Sequence, residues 1–305
     1  MSNFSFLASE IRTKLPALEL RENEPMRRHC FFKIGGPAAI YARPASLAEL
    51  QTLCALLREK GEKPLVIGNG SNLLVTDEPL TRVVIQTTGL SGAKRTGERS
   101  VYVESGMSLA HAATLCASYG LSGMEFAQGI PGSVGGGVFM NAGAYGGEMK
   151  QVLRSAAFLD GEAKTGVKAG AALDLSYRHS AFSGTDLIVI GCELVLEPGD
   201  ARAIELRMKE LGEKRRASQP LDMPSAGSTF KRPERGYAAA LIEQCGLKGC
   251  AVGGAQVSEK HAGFVVNRGG ASFDDVRRLI AHIQETVFAQ TGIRLEPEVK
   301  IIENS

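Results

Sequence analysis

Two glycine-rich stretches carry the clearest chemistry in this chain. Gly68-Asn69-Gly70-Ser71-Asn72 follows the apolar run Leu65-Val66-Ile67, and a second stretch runs from Gly123 to Gly147. Nine of those 25 residues are glycine and only Glu125 is charged. A flexible linker would carry serine and charge instead. Here the glycines alternate with Ile, Val, Phe, Met and Ala, so the segment reads as backbone that is buried or covered by a ligand. Glycine lets main chain approach a ligand closely, and successive N–H groups make a concavity for anions. Together the two stretches read as a wall of backbone around a large phosphate-bearing cofactor. The first loop does not open a Rossmann unit. Its sixth position is Leu73, and Leu73-Leu74-Val75-Thr76-Asp77-Glu78-Pro79 cannot start a long helix.

Other residues could act on a substrate. Arg178 can grip a carboxylate with two parallel hydrogen bonds and stays charged at any working pH, although a lone arginine there also reads as a salt bridge at a strand end. Ser228, between Gly227 and Thr229, could give a proton to a strongly basic carbanion held against it. It also reads as a turn serine bonded to its own backbone. Glu296 and Glu298 are two apart in a strand-like segment and so share a face, with Leu295, Pro297, Val299 and Ile301 on the other. The five histidines have no metal-like spacing, and no metal is expected.

The elements that must position these groups alternate along the chain. Ser46 and Glu49 form a capping box for a helix with Leu47, Leu50, Leu53 and Leu57 on one face, ending at Gly61. Strands are predicted at 65–67, 83–86, 101–104, 152–160 and 187–196, with a hairpin turn at Asp160-Gly161 and a helix from Ser108 to Tyr119. Asp200 caps a helix carrying Ile204, Met208 and Leu211. Helices follow at 237–245 and 273–290, and 293–302 reads as a strand. The domain reading is 1–80 and 81–200 for two cofactor-binding subdomains, 201–292 for a substrate domain, and 293–305 for a tail returning to the active centre. Deleting the chain after Leu295 is expected to abolish turnover and leave the cofactor bound.

Composition bounds the rest. The 305 residues exceed the roughly 250–300 at which single cores split into domains. A net charge of +2 without a long basic run argues against nucleic acid as the main partner. The cluster Lys214-Arg215-Arg216 reads as a solvated helix end. The six cysteines contain no CxxC and read as reduced thiols of a cytoplasmic protein. No signal peptide or membrane span is expected.

Seven segments together resemble the UDP-N-acetylenolpyruvoylglucosamine reductase family. Gly68–Val75 and Gly129–Gly136 look like its two flavin-binding stretches. Lys33-Ile34-Gly35-Gly36-Pro37-Ala38, Tyr177-Arg178-His179-Ser180-Ala181-Phe182, Pro224–Pro233, Lys260–Asn267 and Leu295–Val299 resemble its remaining motifs in order. The resemblance implies an α+β fold: an FAD-binding fold of the vanillyl-alcohol-oxidase (PCMH) type in two subdomains, plus a C-terminal α+β substrate domain. It implies that NADPH reduces non-covalent FAD, which then reduces UDP-N-acetylglucosamine enolpyruvyl ether to UDP-N-acetylmuramate for peptidoglycan, and so serves cell-wall growth, shape and division. By the same resemblance Arg178 holds the developing charge, Ser228 is the proton donor and Glu298 the catalytic glutamate. Glu296 is then structural, and Tyr145 and Lys231 contact substrate. FAD would be bound by Gly68, Asn69, Gly70, Ser71, Asn72, Gly129, Ile130, Pro131, Gly132, Ser133, Gly136 and Gly143. The chain lacks the family's longer insertion between Phe182 and Leu187, so it looks like the shorter, second form. The resemblance also implies a cytoplasmic monomer. Another FAD oxidoreductase of this fold, or a nucleotide-sugar-binding protein without chemistry, are the competing readings.

Overall fold

The computed structural model describes residues 3–304. The chain folds as two compact units. The first takes the residues up to Glu22, Ala39–Asn69 and Arg82–Lys214; the second takes Asn23–Ala38, Gly70–Thr81 and the chain from Arg215 on. The chain therefore passes from one unit to the next inside the first glycine loop, between Asn69 and Gly70.

In the first unit a four-stranded sheet runs in the order Glu19–Pro25, Pro37–Arg43, Leu80–Gln86, Leu65–Ile67. Helices α1 (Asn3–Lys14) and α2 (Leu47–Glu59) supply Leu7, Ile11, Leu50, Leu53 and Leu57 to a core shared with Ile40, Val83 and Ile85 of this sheet. The leucine spacing in α2 is the 3.6-residue period of a helix with one buried face. The Ser46 hydroxyl accepts from the Glu49 N–H, and the Glu49 carboxylate reaches the Ala45 N–H instead of completing the reciprocal box on Ser46.

A second, wholly antiparallel sheet has the order Thr165–Ala169, Leu153–Leu159, Ile188–Val195, Ser100–Glu104, Ala93–Arg95. Helix α3 (Leu109–Ser118), the six-residue α4 (Val134–Phe139) and α5 (Ala201–Ser218) share its core through Leu109, Cys116, Val134, Val138, Ile204 and Met208. The 159–165 hairpin forms as expected. Its left-handed residue is Ala163 and not the glycine of Asp160-Gly161, because the Asp160 carboxylate instead accepts from the N–H groups of Glu162 and Lys164.

The second unit packs α6 (Ala238–Gln244) and α7 (Phe273–Thr291) with a small antiparallel sheet of Ala251–Val252, Ala255–Val257 and Val265–Asn267. Leu73–Val75 pairs in parallel with Lys300–Ile302. The predicted strand 293–302 is thus only three residues long. The chain before it is extended with a bridge at Pro297 and a bend at Val299. No helix among the described residues is long and apolar enough to cross a membrane.

Candidate active site

Gly68 and Asn69, the first-unit part of the first glycine loop, meet the second stretch within that unit. Asn69 Nδ2 donates to the Pro131 carbonyl at 2.6 Å across 62 positions of sequence. A Cβ at position 68 would lie 2.2 Å from Ser133 Oγ and so would displace the hydroxyl that caps α4 through the Gly136 N–H. Gln86 Nε2 holds the Gly68 carbonyl at 3.0 Å.

The expected wall of free N–H groups is only partly realised. The N–H groups of Val134 and Gly135 are already bonded to the carbonyls of Met107 and Ser105, and that of Gly136 to Ser133 Oγ. Gly135 and Gly137 are glycines because Ser105 and Leu109 pack within 3.0 Å of where a Cβ would stand. Gly136 alone of the three is exposed. The N–H groups that find no acceptor among the described residues are those of Asn69, Gly70, Ser71 and Asn72 in the first loop and of Gly129, Gly132 and Ser133 in the second. Gln128 Oε1, beside Gly129, is buried without a donor. Orphan donors in a glycine-walled loop are what a diphosphate satisfies, so these residues fit a dinucleotide such as FAD.

Arg178 lies in the first unit on a tight turn. Ser176 and His179 exchange both N–H···O bonds at 3.2 Å, and Arg178, the second of the two central residues, has φ 54°. That position of a type II turn normally takes glycine. A left-handed non-glycine residue costs on the order of 1–3 kcal/mol and persists only where the surroundings enforce it. Tyr145 is the same case. It heads the two-residue turn between Gly143–Ala144 and Gly147–Glu148, with φ 54° before Gly146 at 84°, a geometry that normally takes Asn-Gly. Arg178→Gly should therefore keep or raise the melting temperature while lowering turnover by about 10²–10³-fold, the size of one lost charge-stabilising donor. A fall in stability that matches the fall in turnover would mark Arg178 as structural.

Ser228 and Glu298 lie in the second unit on paired segments. Phe230 bridges Pro297, the Lys231 N–H donates to the Glu296 carbonyl, and the Glu298 N–H donates to the Thr229 carbonyl, both at 2.8 Å. Thr229, which the sequence reading passed over, fixes this junction. It is buried, its N–H donates to the Gly263 carbonyl at 2.8 Å, and its Oγ1 accepts from the Val265 N–H at 3.0 Å. The turn bond expected of Ser228 belongs instead to Ser225, whose Oγ accepts from the Gly227 N–H.

The two carboxylates do not share an environment. Glu298 is 9% exposed, whereas the Glu296 side chain is 71% exposed and ion-paired to Lys231. The bend at Val299 breaks the alternation, burying Val299 beside Glu298 and leaving Ile301 exposed. The Glu298 carbonyl accepts from Asn72 Nδ2 at 3.1 Å, and the Lys300 N–H donates to the Asn72 carbonyl at 3.0 Å. The second half of the first glycine loop therefore holds the tail in place.

Of the basic cluster, Lys214 is exposed and paired with Glu210, but Arg215 is buried, so the solvated-helix-end reading fails for Arg215. His29 Nε2 lies 2.9 Å from Glu24 Oε1 in a largely buried pair. Burial pushes the thiols of Cys30, Cys54, Cys116 and Cys192 up to about 12, so they stay protonated at neutral pH.

Comparison with known proteins adds to this geometry. The family described as UDP-N-acetylenolpyruvoylglucosamine reductase, C-terminal domain, matches residues 219–302, and the FAD binding domain family matches residues 38–165. The UDP-N-acetylenolpyruvoylglucosamine reductase of Caldanaerobacter subterraneus subsp. tengcongensis is 44% identical over 296 residues, covering 97% of this chain and 98% of the relative. That of Agathobacter rectalis is 46% identical, covering 98% and 99%. The crystal structure of the reductase from Thermus caldophilus is similar with a TM-score of 0.80 and 32% identity, covering 94% of this chain and 99% of that one.

Proposed function

The chain belongs to the UDP-N-acetylenolpyruvoylglucosamine reductase family, and from that membership we propose how its own residues carry the reaction. It is an FAD-containing oxidoreductase with an FAD-binding fold of the vanillyl-alcohol-oxidase type and a C-terminal α+β domain. It uses NADPH to reduce UDP-N-acetylglucosamine enolpyruvyl ether to UDP-N-acetylmuramate, a peptidoglycan precursor. The division into cofactor-binding subdomains 1–80 and 81–200, a substrate domain 201–292 and a returning tail 293–305 is part of the proposal. So is a monomeric cytoplasmic enzyme serving cell-wall growth, shape and division, which the free cysteines support as a mark of a reducing compartment.

FAD, when bound, would supply the hydride chemistry for reduction of the enolpyruvyl double bond. The residues do the rest. The orphan N–H groups of Asn69–Asn72, Gly129, Gly132 and Ser133 would hold the cofactor diphosphate. Arg178 grips the substrate carboxylate, into which the charge on the adjacent carbon delocalises. The Ser228 hydroxyl delivers a proton to that carbon, so one hydride and one proton saturate the double bond. Glu298 polarises the enol ether or assists the proton transfer. Tyr145 and Lys231 bind the rest of the substrate. The exposed Lys231–Glu296 pair is weak enough, at about 0–1 kcal/mol, to yield the ammonium to a diphosphate or carboxylate.

The observation that carries this reading is the buried Glu298 carboxylate, held one residue out of register from Ser228 on a tail pinned by Asn72. A flavin absorbance spectrum together with NADPH oxidation that requires the enolpyruvyl substrate tests it. A yellow protein indifferent to that substrate would be a different oxidoreductase of the same fold.

FAD should be non-covalent. The cysteines named above are protonated, and one ring nitrogen of His29 is engaged by Glu24. Acid precipitation should release all yellow colour to the supernatant, and colour kept in the pellet would mean a covalent link.

A further inference from the structure

Asn141 stands just past the Met140 C-cap of α4, is 1% exposed and has φ 44°. Its carboxamide joins three separate segments. Nδ2 donates to the Ser176 carbonyl at 3.0 Å and to Glu148 Oε2 at 3.1 Å, and Oδ1 accepts from the Lys150 N–H at 2.9 Å. Ser176 is the base of the Tyr177-Arg178 turn. On the far side of that turn, Ser180 Oγ donates to the Phe139 carbonyl at 2.8 Å. The turn is thus clamped at one end to Asn141, just beyond α4, and at the other to Phe139, the last residue of α4, the helix of the second glycine stretch. Glu148 ends the hairpin that carries Tyr145. Arg178 and Tyr145 are the two non-glycine site residues with left-handed φ, and one amide ties down both turns.

We propose that Asn141 is a positioning residue that seats the Tyr177-Arg178 turn on the end of α4, and so governs reaction with the enolpyruvyl substrate but not with NADPH. The proposal rests on the role given to Arg178 above. Residue chemistry narrows the choice at this position. Asparagine is among the few non-glycine residues that accept a left-handed φ. Aspartate shares that tolerance, but its carboxylate cannot donate to the Ser176 carbonyl and would face the Glu148 carboxylate. Glycine keeps the backbone and removes all three bonds.

The test compares holoenzyme forms of Asn141→Gly, Asn141→Asp and Asn141→Asp with Glu148→Gln. Stopped flow measures each half-reaction, and hydrogen exchange follows the His179 amide, which closes the turn. In Asn141→Gly, reduction by NADPH should stay within about twofold. Oxidation by the enolpyruvyl substrate should slow about 10²-fold, the size expected of a roughly 1 Å misplacement of a charge-holding group. His179 exchange should quicken at least about tenfold, the sign of a turn that opens locally. In the double variant the glutamine amide can donate to the new carboxylate, restoring the link to the hairpin. Thermal stability should recover from that of Asn141→Asp, while substrate oxidation stays slow because the Ser176 carbonyl still lacks its donor.

Recovery of the substrate half-reaction in the double variant would overturn the proposal, and so would equal slowing of both half-reactions in Asn141→Gly. In an enzyme that proved inert to the enolpyruvyl substrate, the exchange measurement alone would decide whether Asn141 seats the turn. That separates this inference from the functional reading.

Discussion

Ser228→Ala should leave reduction of the enzyme by NADPH within about twofold of normal and slow its oxidation by the enolpyruvyl substrate about 10³-fold, within the range of a lost general acid. Hydride transfer from NADPH to FAD needs no proton at the sugar substrate, so the first half-reaction has no use for the hydroxyl. The second leaves a carbanion that must be protonated. The structure makes the substitution clean. The Ser228 hydroxyl bonds to no described residue, and the local backbone is held by Thr229, Phe230 and Ser225. A methyl group in place of the hydroxyl removes a proton and little else. Stopped-flow absorbance separates the steps, and equal slowing of both would make Ser228 structural.

Glu298→Gln should lower turnover by a similar factor, about 10³-fold, and shift the melting temperature by less than about 3 °C, the effect of ~1 kcal/mol in a chain of this size. The amide keeps the shape of the buried side chain. Backbone bonds help place the residue, from its N–H to the Thr229 carbonyl and to its carbonyl from Asn72 Nδ2, and the substitution leaves both in place. Glu296→Gln should cost turnover no more than about threefold, because an exposed ion pair contributes about 0–1 kcal/mol. If Glu296→Gln proved the more damaging, the catalytic carboxylate would be misassigned.

Deleting the chain after Leu295, expected from sequence to spare the cofactor, is the poorer experiment. It would strip the strand paired with Leu73–Val75, the Thr76 N–H partner on Ile302, and the Asn304 bonds to Thr81 and Pro79. The first glycine loop would lose its support along with the carboxylate. The point substitution asks the chemical question alone.

Side-chain type and local spacing made several elements readable. The leucines of α2, the Ser108 cap of α3 and the apolar stripe of Val276, Ile280, Ile283 and Val287 in α7 each obey a period set within one helix. The glycine stretches announced a backbone site, and the seven motif segments pointed to the family. The four-residue capping pattern Ser46–Glu49 was read almost as it forms, with only the reciprocal bond moved by one residue.

The sequence alone therefore determined helices α2, α3, α5, α6 and α7, the glycine loops and the kinds of side chain available for chemistry, but not α1 or the short α4 inside the second glycine stretch. The tertiary structure decided which N–H groups stay open, which of two carboxylates is buried, and what holds each site residue still. Asn72 reaches Glu298 across 226 positions, and Thr229 ties together residues near 263, 265 and 298. Main-chain carbonyl and N–H groups make most of these links, and every residue has those whatever its side chain. Such pairing leaves no period in the sequence. The left-handed turns at Arg178 and Tyr145 were equally hidden, because local sterics there favour glycine and only the packing around Asn141 and α4 imposes the strained shape.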